Sequence, residues 1–253
     1  AGIYSSEDGY VINNFDGGDL GGADKTAIRW STTYKVDELA VYTMVEYEDR
    51  ELSGSIYRAI ETGDIWDTFD AAFGGVNIAG GSEGINSDQS HGEYDNSTVL
   101  NLGLKIEYDL GFADLTASTG YKDHDYYYSE DYDGTPLNTN NYQQDQTGDY
   151  FQQEVRLNFK KNGPLSWYAG ASYYKENIDT NFKFIASEDS MCQYYGYANN
   201  SGMTFTGCQD LYAYYDSSFT PSADGNLTES NRIIGKYSGW ATYINMEFEL
   251  SDT

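Results

Sequence analysis

Tyrosine dominates the chemistry available to this chain, filling 26 of its 253 positions. The rings gather in Tyr126-Tyr127-Tyr128, in Tyr194, Tyr195 and Tyr197, and in Tyr212, Tyr214 and Tyr215. A tyrosine ring stacks on flat ligand surfaces, its hydroxyl gives and takes hydrogen bonds, and few torsions freeze when it does so. These nine residues are the candidate ligand contacts. Marking a membrane interface, or packing loops together, is the alternative role for such rings. Cys192 and Cys208 lie in one polar segment with 15 residues between them. A disulfide there implies an oxidising compartment, and two unpaired thiols are the alternative.

Reaction chemistry finds little support. His91 and His124, the two histidines, each stand alone in a polar setting and read as solvated surface residues rather than bases or ligands. There is no GxGxxG, P-loop or HExxH. Asp131-Tyr132-Asp133-Gly134 resembles the start of a calcium loop. It lacks the later ligands of an EF-hand and reads as a solvated acidic loop tip. These features point to a protein that binds rather than reacts, with no catalytic residue, no metal site and no cofactor. A net charge of −27 leaves no basic surface to displace counterions from phosphates, which argues against nucleic acid as a partner.

Long antiparallel strands must position these rings. From Leu100 the chain alternates, with Leu100, Leu102, Leu104, Ile106 and Tyr108 opposite Asn101, Gly103, Lys105 and Glu107. A period of two means a strand with one apolar and one polar face. Asp109-Leu110-Gly111 reverses it, and Ala113, Leu115, Ala117, Thr119 and Tyr121 answer. Two further hairpins share this design: Ala27–Tyr34 with Leu39–Glu48, and Phe151–Phe159 with Leu165–Tyr173, the latter across an Asn162-Gly163 turn. A last strand runs from Lys236 to Leu250.

Connection lengths select among β architectures. Turns of two to five residues alternate with long loops at about 50–96, 129–148 and 177–235. All of the long loops fall at one end. They carry −16 of the net charge, which disfavours a strongly anionic ligand held by the loops alone. Short turns at one end and long loops at the other fit an up-and-down transmembrane β-barrel, whose strands cross the hydrocarbon in nine to eleven residues. A sandwich would mix its loop lengths and could not bury Arg29, Lys105, Glu154 or Arg156 in a dry core. No run of 18 apolar residues is present to form a spanning helix.

Several short runs resemble TonB-dependent outer-membrane receptors. Asp19-Leu20-Gly21-Gly22 with Thr26-Ala27-Ile28-Arg29 is similar to their early barrel, as is Leu115-Thr116-Ala117-Ser118-Thr119-Gly120-Tyr121. Gln153-Glu154-Val155-Arg156-Leu157, followed by Gly163-Pro164-Leu165-Ser166-Trp167-Tyr168-Ala169-Gly170, is the most specific. The resemblance implies bacterial outer-membrane import of a bulky nutrient: a siderophore-iron complex, a cobalamin or an oligosaccharide. It also implies a TonB complex reached through a plug domain, and outer-membrane lipid as surroundings. Such receptors are 22-stranded barrels with a plugged lumen. This chain departs from the pattern, with about seven or eight strands, no plug and no TonB box. It is therefore expected to be an internal piece of one barrel domain spanning 1–253, an open curved sheet by itself. The competing expectation is a secreted β-rich module that binds glycan through its Tyr-rich loops.

Overall fold

In a computed structural model, residues 1–59, 64–76, 84–89, 92–160 and 163–250 are described. His91, Lys161 and Asn162 lie outside them, so the histidine and most of the expected Asn-Gly turn have no structural counterpart here. The strands are β1 (Gly2–Glu7), β2 (Val11–Asn13), β3 (Asp19–Leu20), β4 (Ala23–Val36), β5 (Leu39–Leu52), β6 (Gly84–Ile85), β7 (Tyr94–Asp109), β8 (Ala113–Asp131), β9 (Asn141–Phe159), β10 (Leu165–Ser187) and β11 (Asn226–Phe248). Among the described residues three helices join them: α1 (Asp64–Phe73), α2 (Glu188–Asn199) and α3 (Cys208–Tyr214).

Eight strands form one sheet in the order β1-β4-β5-β7-β8-β9-β10-β11, and every pairing in it is antiparallel. It does not close: β1 pairs only with β4, and β11 only with β10. The result is an open, curved all-β sheet with up-and-down connections. β2, β3 and β6 form a separate small sheet.

The register places the expected apolar residues on a single face. Val45, Leu102 and Tyr121 are neighbours across β5, β7 and β8, while Leu157, Ala169 and Ile244 are neighbours across β9, β10 and β11. This band is about nine residues tall on the long strands β7 to β11, the span of a hydrocarbon layer for a tilted strand. Aromatic residues border it on both sides. Tyr47, Tyr121, Phe151, Tyr173 and Trp240 lie towards the long loops, and Tyr34, Tyr108, Phe159, Trp167 and Phe248 towards the short turns.

Among the described residues nothing covers the band. Trp240 is 78% exposed and Met246 60%. Among the described residues the buried hydrophobic set is small, with Leu20, Ile85, Ala113 and Phe205 as examples. A sandwich would bury this face against a second sheet. The opposite face carries ion pairs instead: Lys25–Glu48 at 2.9 Å, Arg29–Glu46 at 3.6 Å and Lys105–Glu107 at 2.6 Å. Arg156 lies over the Tyr168 ring.

The strands run farther than their hydrophobic pattern. β8 continues roughly ten residues past Tyr121, or about 33 Å at strand rise. Pairing persists to Leu52, Tyr94, Asp131, Asn141, Ser187 and Asn226. The three expected loops therefore shrink to 53–93, 132–140 and 188–225. On the band side of these extensions stand Asp123, Asp149, Asn177 and Asp179, with Asn177 donating to both Asp149 oxygens at 3.0 and 2.9 Å. The segment expected as one loop at 177–235 also contains two helices. Ser187 caps α2, its hydroxyl accepting from the Ser190 N–H, and Glu188 and Asp189 complement the positive end of the helix.

Candidate functional site

The nine candidate tyrosines divide into two groups. Tyr126, Tyr127 and Tyr128 belong to β8, just ahead of the loop expected at 129–148. Strand alternation separates them: Tyr126 and Tyr128 stack on the face opposite the band, with centroids 6.2 Å apart, while Tyr127 turns away to meet Tyr94. Tyr194, Tyr195 and Tyr197 ride on α2, Tyr212 and Tyr214 on α3, and Tyr215 caps α3.

The first group sits in a larger aromatic surface. Register brings Tyr142 of β9 and Phe182 and Phe184 of β10 onto the face of Tyr128. Tyr128 meets Tyr142 edge-on at 6.1 Å, and Tyr142 meets Phe184 at 5.2 Å and Phe182 at 6.2 Å. Below the rings runs a row of amides. The Tyr142 hydroxyl donates to Gln144 Oε1 at 3.0 Å, and the Thr180 hydroxyl donates to Gln146 Oε1 at 3.1 Å. Gln146 Nε2 lies 3.0 Å from His124 Nε2. His124 is thus half-buried in a polar row rather than free in solvent, with its ring against Gly148, where an added Cβ would fall 2.6 Å from Cε1. Phe184 is 46% exposed, so the surface is open to a ligand. Five ring faces beside hydrogen-bonding amides can hold a large, flat, partly polar molecule. Tyr142, Phe182 and Phe184 were absent from the sequence candidates. Their parity with Tyr126 and Tyr128 shows only once the strand register is known.

The second group is scaffolded covalently. Cys192 and Cys208 form a disulfide with Cα atoms 5.0 Å apart, tying α2 to the start of α3. Asp189 Oδ1 accepts from the Cys208 N–H at 2.8 Å. Tyr194 stacks on Phe69 of α1 at 4.1 Å, so it packs one helix on another. Tyr195, Tyr214 and Tyr215 remain more than half exposed.

A third feature was read differently from sequence. Asp131, expected at a solvated loop tip, is 1% exposed, and Glu93 is 6% exposed. Asp131 Oδ2 accepts from Ser87 Oγ at 2.5 Å, and Glu93 Oε1 accepts from the Asp131 N–H at 2.5 Å. Asn13 holds Ser87 from the other side through two backbone contacts. Burial pushes the Glu93 carboxyl up to about 8, with the Asp131 and Glu130 charges adding to it. Burial pushes Asp131 to about 8 as well, with Asp133 and Asp88 nearby. Asp133 is also raised by burial, although Thr135 and Thr139 hydroxyls donate to it.

This fold defines a class: an open, curved, antiparallel up-and-down β-sheet of long strands. The crystal structure of the ferric yersiniabactin uptake receptor FyuA from Yersinia pestis is similar to it at a TM-score of 0.50 and 10% sequence identity. The likeness covers 98% of this chain and 39% of that one, so the chain spans well under half of the receptor's length. No family model matches the chain, and no curated protein does.

Proposed function

We propose that this chain is part of the barrel of a TonB-dependent outer-membrane receptor that imports a bulky nutrient. The observation carrying this reading is the pair of faces on each long strand. One face exposes an uncovered apolar band of about nine residues between aromatic borders, which only lipid can satisfy. The other presents ion pairs suited to a wide, hydrated lumen. At the turn end, that polar face has a groove lined by Lys35, Lys105, Glu107, Glu154 and Arg156, a mixed-charge surface for a plug domain supplied outside this chain. The TonB complex would act through that plug. The barrel likeness agrees, and its namesake takes up a ferric siderophore.

The aromatic-amide surface at Tyr126, Tyr128, Tyr142, Phe182 and Phe184 is the ligand contact in this reading. Rings and amides favour a siderophore-iron complex, a cobalamin or an oligosaccharide over a small ion. The role is transport and binding, not catalysis. A secreted glycan-binding module would leave the apolar band in water, an aggregation liability.

Spin labels in the complete protein, reconstituted in a bilayer, test the reading. Labels at Leu104 and Ile244 should be relaxed by lipid-soluble oxygen, and labels at Lys105 and Arg156 by a water-soluble agent. Equal accessibility on both faces rejects the barrel. Tyr142→Ala and Phe184→Ala should each weaken nutrient uptake affinity by roughly three- to tenfold. Unchanged affinity in both moves the ligand elsewhere.

A further inference from the structure

Three neighbouring residues at the long-loop end each bury one side-chain oxygen that has no hydrogen-bond partner. Glu93 Oε2, Asp131 Oδ1 and Asn141 Oδ1 are buried and have no hydrogen-bond partner. Their residues are 6%, 1% and 0% exposed. Every other polar atom in the set is engaged. Glu93 Oε1 takes the Asp131 N–H, Asp131 Oδ2 takes the Ser87 hydroxyl, and Asn141 Nδ2 donates to Asn138 Oδ1 at 3.0 Å. The three residues come from separate segments brought together by the sheet: Glu93 just ahead of β7, Asp131 at the end of β8, and Asn141 at the start of β9 as the register partner of Asp131.

Buried acceptors without donors are costly, and buried carboxylates more so. Among the described residues no lysine or arginine forms an ion pair with Glu93 or Asp131. What the cluster lacks is positive charge that accepts lone pairs. We infer that Glu93, Asp131 and Asn141 form a binding site for a hard divalent cation of the size of Ca²⁺, which locks the loop-side ends of β7, β8 and β9 together. An all-oxygen set of carboxylate and amide, with no histidine or thiol, suits a hard cation rather than a transition metal. Ca²⁺ takes six to eight oxygens in flexible geometry and can complete its shell from main-chain carbonyls and water, whereas Mg²⁺ demands a near-ideal octahedron. No three Asp, Glu, His or Cys side chains among the described residues group as a metal site. Two carboxylates and one amide give a low ligand charge, which places the affinity near that of extracellular calcium modules, about 10⁻⁴–10⁻³ M.

The ion has a structural consequence. Ser87 links Asp131 to Asn13, and the small sheet joins β2 to β6 through Asn13 and Ile85. Cation binding at Asp131 would hold the N-terminal segment and residues 84–89 onto the wall. The inference does not depend on the transport reading, because it concerns the strand ends and not the ligand surface.

The test uses the complete protein in detergent, stripped with EDTA, with hydrogen exchange first showing that the strands are protected. Tb³⁺ excited through tyrosine reports the site, since Tyr132 adjoins Asp131 and its ring lies 5.4 Å from that of Tyr57. One saturable signal is expected, displaced by Ca²⁺ and at least tenfold less readily by Mg²⁺. Glu93→Gln and Asn141→Ala should each weaken Ca²⁺ by about tenfold or more, and Asp179→Asn, paired with Arg232 elsewhere, should not. Should a variant misfold, the unmodified protein decides: Ca²⁺ should slow exchange of amides in 84–93 and 132–140. Protected strands with no Tb³⁺ signal, and exchange in those segments identical with and without Ca²⁺, overturn the site. The two carboxyls then carry protons instead.

Discussion

At the scale of single residues, neighbours in sequence take opposite faces of the sheet. Leu104 and Lys105 are adjacent, yet alternation sends one to the apolar band and the other to the polar face, where Lys105 pairs with Glu107. In the proposed barrel, an arginine at a band position would lose water and gain hydrocarbon. Leu104→Arg should therefore destabilise the folded complete protein by about 2–4 kcal/mol. Lys105→Ala forfeits one exposed ion pair and should cost under about 1 kcal/mol. Urea unfolding in lipid vesicles measures both, and similar losses at the two positions would mean that neither face meets lipid. The same alternation explains why Tyr127 parts from Tyr126 and Tyr128.

Among the elements, the helices over the long-loop end are held by different forces from the strands. α2 and α3 have few backbone bonds to the sheet, and the Cys192–Cys208 bridge closes the segment between them. Closing a loop of this length restricts the unfolded chain by roughly 3 kcal/mol in the entropic account. Both cysteines should resist alkylation in protein from its native compartment until a reductant is added. On reduction, amide exchange should quicken in 188–225 and stay unchanged in β7 to β9, because ladder hydrogen bonds do not depend on the bridge. Equal loss of protection in helices and strands would show that the bridge supports the whole sheet.

For the whole molecule, the open sheet is the governing fact. β1 and β11 each leave one row of backbone groups unpaired, and the band beside them is exposed. In lipid an unpaired edge costs several kcal/mol per group, and in water it templates association. The chain expressed alone should therefore refold in detergent only as a heterogeneous, aggregating species, while the complete protein should run as a single heat-modifiable band. A monodisperse, heat-modifiable monomer of the isolated chain would show that the two edges meet and would refute the open sheet.

What the sequence by itself determined is the part of the structure where the two faces differ. Between Leu100 and Tyr108, or Trp240 and Phe248, one face is apolar and the other polar, so composition alternates and the strand, its face and its hairpin partner are all legible. Past Tyr121 that difference ends. Glutamines, aspartates and tyrosines then occupy either side, the period-two contrast vanishes, and Asn141–Gly148 reads as loop although every residue there is paired in β9. The disulfide was legible as a plausible pairing from the spacing of two cysteines. Only tertiary structure decided the ligand surface and the buried acids, because both depend on register. Tyr142 joins Tyr128, and Asn141 joins Asp131, through cross-strand hydrogen bonds between positions more than nine residues apart, for which no local pattern exists.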